Sequence, residues 1–198
     1  DETVASVNDA GTVTATGGED GAGIGSGEAG SSGDGGDASN ILITGGDITA
    51  TGGEGGGAGI GGGDGGNVNY IQIGAYNVDG LPADSYVKAT GGTNGAGIGS
   101  SNGDVGFLYV YLNGGIVEAT GGTDAAGIGG GDGEAEDIYI EGKGTVIATG
   151  HDESAAIGAG HNKEGGNITI IGYGYNGPES QKDNPQADKS AYGLVIEA

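Results

Sequence analysis

Gly45-Gly46-Asp47-Ile48-Thr49-Ala50-Thr51-Gly52-Gly53, followed after a three-residue gap by Gly57-Ala58-Gly59-Ile60-Gly61-Gly62-Gly63, is one turn of a pattern that runs through most of the chain. Ala-Thr-Gly-Gly starts at Ala15, Ala50, Ala89 and Ala119, with Ala148-Thr149-Gly150-His151 as a degenerate fifth copy, at intervals of 35, 39, 30 and 29 residues. Behind each comes Gly-Ala-Gly-Ile-Gly, at 21–25, 57–61 and 95–99, varied to Ala125-Ala126-Gly127-Ile128-Gly129 and Ala155-Ala156-Ile157-Gly158. A third element is an alternating apolar strand: Ile41-Leu42-Ile43, Ile71-Gln72-Ile73, Val110-Tyr111-Leu112, Ile138-Tyr139-Ile140 and Ile168-Thr169-Ile170. Short motifs repeated in fixed order mark a solenoid, in which each unit buries its apolar side against its neighbours.

Each motif alternates with period two between Gly, Asn or Asp, so each reads as a short strand between turns. Dense Gly and β-branched residues without a 3.6 period exclude helix. Three strands per copy make one coil, and coils stacked in parallel at ~4.8 Å build a triangular prism. The expected class is therefore all-β: a right-handed parallel β-helix, or β-solenoid, of about five to six coils with three short strands per coil. The hand follows the usual crossover of parallel strands, and the left-handed hexapeptide helix has much shorter coils. Alternation sends Ile41 and Ile43, Val13 and Ala15, and Ala22 and Ile24 inward with their equivalents. Ile24, Ile60, Ile98, Ile128 and Ile157 should form one buried ladder. Thr3-Val4-Ala5-Ser6-Val7 resembles the first strand of a leading coil and Tyr192-Gly193-Leu194-Val195-Ile196 the second strand of a closing one. Residues 1–198 thus read as a single domain, with corner insertions at about 74–84 and 172–190.

Composition narrows the partners. The chain carries 53 Gly, no Cys, Met or Trp, and a formal charge of −23. Its five basic side chains are all Lys, so nothing neutralises a phosphate backbone or clamps a phosphoryl group, and nucleic acid and anionic membranes are excluded as partners. No apolar run approaches the ~20 residues of a bilayer span, so no membrane insertion is expected. Absence of Cys removes disulfides, thiolate chemistry and Cys-ligated zinc. Asp1-Glu2-Thr3 lacks the basic start of a secretory signal, so an exported form would be a mature chain or an excised domain.

The three walls of the prism differ. Gly23, Gly59, Gly97 and Gly127, flanked by Gly25, Gly61, Gly99, Gly129 and Gly158, are expected to face outward as bare backbone, which means either a conformation only Gly reaches or the close approach of another surface. On a second wall Thr16, Thr51, Thr90, Thr120 and Thr149 point out as exposed β-formers. On the remaining wall the outward residues are Asn40 and Leu42, Tyr70 and Gln72, Tyr109 and Tyr111, Asp137 and Tyr139, then Asn167 and Thr169, with Phe107 just before Tyr109. Aromatic rings in register on stacked strands can serve as a platform for sugar C–H faces while Tyr hydroxyls, Gln72 and Asp137 take hydrogen bonds; they can equally stack on one another for stability. The insertions, carrying Tyr76, Tyr173 and Tyr175, fall at the corner beside this wall, where solenoids often place functional loops. The candidate ligand-binding set is therefore Tyr70, Gln72, Phe107, Tyr109, Tyr111, Asp137, Tyr139, Tyr76, Tyr173 and Tyr175.

No catalytic set is evident. Acidic residues gather at the corners, among them Glu19, Asp20, Asp34, Asp37, Asp64, Asp104, Asp124, Asp132, Glu134, Glu136, Asp152 and Glu153, and read as solvated charge that opposes aggregation. Calcium stays open as a second reading, because Ser32-Gly33-Asp34-Gly35-Gly36-Asp37 comes near the GGxGxD of calcium β-rolls, although that motif repeats every nine residues. No resident metal or cofactor is otherwise expected. A hydrolase needs carboxylates converging on a cleft, whereas these lie at the corners, where the repeat places similar residues in every coil, and no Lys is expected on the Tyr wall to act as a lyase base. His151 and His161 lie in polar turns and read as solvated.

The strings 45–53 and 57–63 resemble the "GGxVTATGG…GAGIGGG" repeats of very large, adhesin-like surface proteins of gut Gram-positive bacteria, over about residues 11 to 171. That resemblance implies a secreted or wall-attached multidomain parent with roles in adhesion or glycan binding, and it carries no catalytic residues. Two functional expectations follow. One is an extracellular module binding a glycan or host-surface ligand on the Tyr wall; the other is a rigid acidic spacer displaying flanking domains without a ligand of its own.

Overall fold

The computed structural model describes residues 11–28, 36–74, 81–82, 85–172 and 194–197, and no helix occurs among them. The strands form three walls with parallel pairing throughout. The first wall stacks β3 (Ile41–Ile43), β6 (Val68–Ile73), the opening halves of β10 (Val105–Thr120) and β12 (Ala135–Thr149), and β14 (Gly165–Gly172). The second stacks β1 (Thr12–Thr16), β4 (Asp47–Thr51), β8 (Tyr86–Thr90), the closing halves of β10 and β12, and β15 (Leu194–Glu197). The third stacks β2 (Ile24–Gly25), β5 (Ile60–Gly61), β9 (Ile98–Gly99), β11 (Ile128–Gly129) and β13 (Ile157–Gly158). This is the expected right-handed parallel β-helix.

The columns are those that alternation implies. Ile48, Val87, Val117 and Val146 pair in register and are buried, as are Ala50, Ala89, Ala119 and Ala148 beside them. Ile24, Ile60, Ile98, Ile128 and Ile157 form one ladder. Its middle three members are fully buried and its two ends half-buried against the core. Interior residues of the outermost described coils are open: Val13 is 45% exposed, Ile168 44% and Ile170 47%. Leu194, Val195 and Ile196 pair with Gly144, Thr145 and Val146, as a closing second strand should. Residues 1–10, and with them the leading-coil element at 3–7, lie outside the described residues.

Four features depart from the sequence reading. The third copy of the first-wall strand is Leu108-Tyr109-Val110, not Val110-Tyr111-Leu112: Leu108 pairs with Ile71 and Ile138, and Val110 with Ile73 and Ile140. Tyr at both outward positions made the two registers look alike. Secondly, β10 and β12 run unbroken through the corner where two strands were expected, with a register shift between Asn113 and Ile116 and positive φ at Gly114, Gly142 and Gly144 taking up the bend. Within the first insertion, β7 (Leu81–Pro82) pairs alongside Leu112 and Asn113; 75–80, 83–84 and 173–193 lie outside the described residues.

Thirdly, Gly-Ala-Gly-Ile-Gly is not a five-residue strand. The Ala N–H donates to the carbonyl four residues on, Ala58 to Gly62 at 2.8 Å, Ala96 to Ser100 at 2.9 Å and Ala126 to Gly130 at 3.0 Å, so the chain closes a tight loop and only Ile-Gly pairs. The Gly of each Ile-Gly pair has φ of 131–142°, a region that L side chains rarely adopt. The glycines expected to face outward do not. A Cβ on Gly59 would sit 2.6 Å from the Thr90 amide nitrogen, and Gly23, Gly97 and Gly127 meet Thr51, Thr120 and Thr149 in the same way. Both readings apply: at Gly23, Gly59, Gly97 and Gly127 the second wall's own main chain approaches closely, and at Gly25, Gly61, Gly99, Gly129 and Gly158 the backbone takes a conformation that favours Gly.

Finally, part of the corner charge is structural. Asp37 Oδ1 accepts the Asn67 amide at 3.1 Å, Asn67 Oδ1 accepts that of Asp104 at 3.0 Å, and Asp104 Oδ1 accepts that of Glu134 at 3.0 Å. Asn67 and Asp104 immediately precede β6 and β10, and Asp37 precedes Ala38, which bridges to Val68 on the same wall, so a side chain from one coil caps a backbone donor of the next, a job suited to the short acceptors of Asp and Asn.

Candidate functional site

On the first wall, inward Leu108, Val110, Ile138 and Ile140 are buried, and the alternate positions stand outward. Register then lays out the candidates in columns. Tyr70, Phe107, Asp137 and Asn167 form one; Leu42, Gln72, Tyr109, Tyr139 and Thr169 the next; Tyr111 pairs with Glu141 in a third. Seven of the ten candidates, Tyr70, Gln72, Phe107, Tyr109, Tyr111, Asp137 and Tyr139, are thereby brought together on three adjacent coils. Tyr76, Tyr173 and Tyr175 lie outside the described residues.

Tyr109 is the hub. Its ring centroid lies 5.0 Å from Tyr139, 5.5 Å from Tyr70, 5.8 Å from Tyr111 and 6.3 Å from Phe107. The Tyr139 and Tyr109 planes differ by only 7°. Parallel six-membered rings this close cannot be coplanar without their rims overlapping, so their faces cover each other in an offset stack. Ring faces expected to be free for a ligand are thus partly used between coils. Phe107, in the column beside Tyr109 and between Tyr70 and Asp137, is 42% exposed. Burial first, and then neighbouring Tyr139, Tyr70 and Asp137, push the Tyr109 phenol up, which keeps it a neutral donor.

Polar groups are held in place around the rings. The Tyr70 hydroxyl donates to Gln72 Oε1 at 2.6 Å, and Gln72 Nε2 donates to the Gly74 carbonyl at 2.8 Å. Asn167 Nδ2 donates to Asp137 Oδ1 at 3.0 Å. Lys143, in register with Asn113, continues the outward alternation beyond Glu141, so one base does stand at the border of this wall. The corner bend hid it from the sequence reading.

A second cluster, not anticipated from the sequence, lies on the second wall. Lys88 and Glu118 pair in register, and Lys88 Nζ donates to Glu118 Oε1 at 3.0 Å. Tyr86 donates its hydroxyl to the other oxygen of Glu118. Outward parity of Tyr86 and Lys88 and the thirty-residue offset from Lys88 to Glu118 were the available signals. Elsewhere, His161 is not simply solvated: its ring nitrogens lie 3.4 Å from Asp124 and 3.0 Å from Glu153. Among the described residues, no group of three or more His, Cys, Asp or Glu is placed to hold a metal ion.

Coil geometry and an aromatic outer wall define a β-solenoid repeat protein. Five copies of the Beta helix repeat match residues 7–28, 41–64, 84–102, 110–132 and 138–161, more than half the chain, and the protein belongs to that family. No curated protein and no solved structure matches the chain. Family membership makes it a module of stacked β-helix repeats.

Proposed function

We propose that the chain is a binding module of an extracellular surface protein that takes a glycan on the first wall, without catalysing a reaction on it. The observation that carries this reading is a five-ring aromatic cluster standing outside a core that is complete without it: the inward residues of β10 and β12 are buried by their own columns. Exposed Phe107, the outer ring edges, the phenol hydroxyls and Asp137 present apolar and hydrogen-bonding groups side by side on a rigid backbone, the pairing that sugar rings require. The adhesin-like character of the repeat strings supports a secreted or cell-surface location, with flanking domains in the parent protein and a glycan or host-surface ligand as partner.

Offset stacking of Tyr109 on Tyr139 favours a second reading, in which the rings brace neighbouring coils and the solenoid is an acidic spacer. Replacing Tyr109, Tyr111 and Tyr139 together by Ala separates the two. Each ring pair lost should cost about 0.5–1.5 kcal/mol, leaving a cooperative fold. In a glycan-array screen the parent should bind and the triple variant should not, since a few aromatic anchors supply most of an interface's energy. A parent that binds nothing, or a variant that binds as well as the parent, would establish the spacer.

A further inference from the structure

We infer that the Tyr ladder of the first wall is a site of oxidative modification, and that its product is a covalent dityrosine bond between Tyr109 and Tyr139 joining adjacent coils. This inference is independent of any ligand for the wall. It starts from what the chain lacks. Cys and Met, which take up most oxidising equivalents that reach a protein surface, are absent, as is Trp. Phenols are then the most readily oxidised side chains, and four of the nine Tyr stand on one face with Tyr109 at their centre.

Among the described tyrosines, geometry selects the pair. Tyr109 and Tyr139 are in register on parallel strands, 5.0 Å apart and within 7° of parallel. Tyr70 is tilted 40° to Tyr109, and Tyr111 lies farther along the same strand at 5.8 Å. Tyr86 is on another wall, its hydroxyl held by Glu118. The oxidant is hydrogen peroxide used by a peroxidase, which removes the phenolic hydrogen from each Tyr in one-electron steps and leaves two waters. The two phenoxyl radicals join through ring carbons ortho to oxygen. The hydrogens of those two carbons return to the phenol oxygens as the rings regain aromaticity, so the protein loses two hydrogens in all. Because both partners are held side by side in one molecule, coupling does not wait for an encounter between chains.

The test is to treat the full chain with a peroxidase and hydrogen peroxide over a series of protein concentrations. Intact mass, dityrosine fluorescence and a peptide map after cleavage at acidic residues are the readouts. The expected product is a monomer lighter by two hydrogens, with the Tyr109 and Tyr139 peptides joined and a yield per molecule independent of concentration. Tyr109→Phe and Tyr139→Phe should each abolish that link and Tyr86→Phe should not; all three keep a ring, and a cooperative melt verifies folding. Links dominated by another pair, a yield that rises with concentration through intermolecular coupling, or an equal 109–139 yield in denaturant would each overturn the inference.

Discussion

At Glu118 two donors converge on one carboxylate, and the effect on acidity has a definite sign. The hydrogen bond from Tyr86, then that from Lys88, holds the Glu118 carboxyl below its ordinary range, while the same contacts push Tyr86 and Lys88 up. A depressed carboxyl contributes stability that is present above its unfolded pKa of ~4.3 and is lost as pH falls through the folded value. The raised Lys88 contributes stability present below its unfolded pKa of ~10.4 and lost as pH rises through the folded one. Glu118→Gln should therefore melt below the parent at neutral pH, and the two curves should converge below about pH 4. A melting gap unchanged down to the lowest pH would mean that Glu118 acts by packing alone. Gly61 makes a steric prediction at the same scale. With φ of 138° and the Gly99 carbonyl where a Cβ would go, Gly61→Ala should cost more than the ~1–3 kcal/mol of a strained backbone alone, read by denaturant unfolding.

Among the elements, the side-chain staircase at the entry to the first wall is the most open to test. Asp104→Ala removes the acceptor of the Glu134 amide and should lower unfolding free energy by about 1 kcal/mol. Asp104→Asn should be neutral or better, because Asn67 already fills the equivalent role one coil away and one negative charge is relieved. Equal losses in both variants would show that charge, not capping, matters there. This staircase also marks the limit of what the sequence shows. Asp37 and Asp104 look like any exposed acids until the coil register places each below a backbone donor. The third wall was obscure for a different reason: alternation put Gly59 and Gly97 outward, but the chain there closes a tight loop instead of running as a strand, and Gly carries no side chain to signal the change. Where side chains carry the pattern, as in the Ala50, Ala89, Ala119 and Ala148 column, the reading was direct. The aromatic wall was legible as a set of residues, but whether ring faces meet each other or the solvent depends on distances that periodicity does not contain.

For the whole molecule, the charge of −23 sets the response to ions. Exposed like charges are screened within a Debye length of ~10 Å at 0.1 M salt, so added salt should raise the melting temperature modestly. Calcium and magnesium should do so equally if the corner acids act as solvated charge and backbone caps; a rise with calcium that magnesium does not reproduce would reveal a specific calcium site. Strand pairing has a mechanical consequence. Hydrogen bonds between parallel strands lie in the sheet plane across the strand direction, so here they point along the axis on which coils stack. Tension applied along that axis is borne by inter-coil junctions in series, every junction feeling the full load, and on the third wall a junction pairs only two residues from each coil. Under such a pull the protein should extend by shedding coils singly from an end, each step releasing about thirty residues of chain.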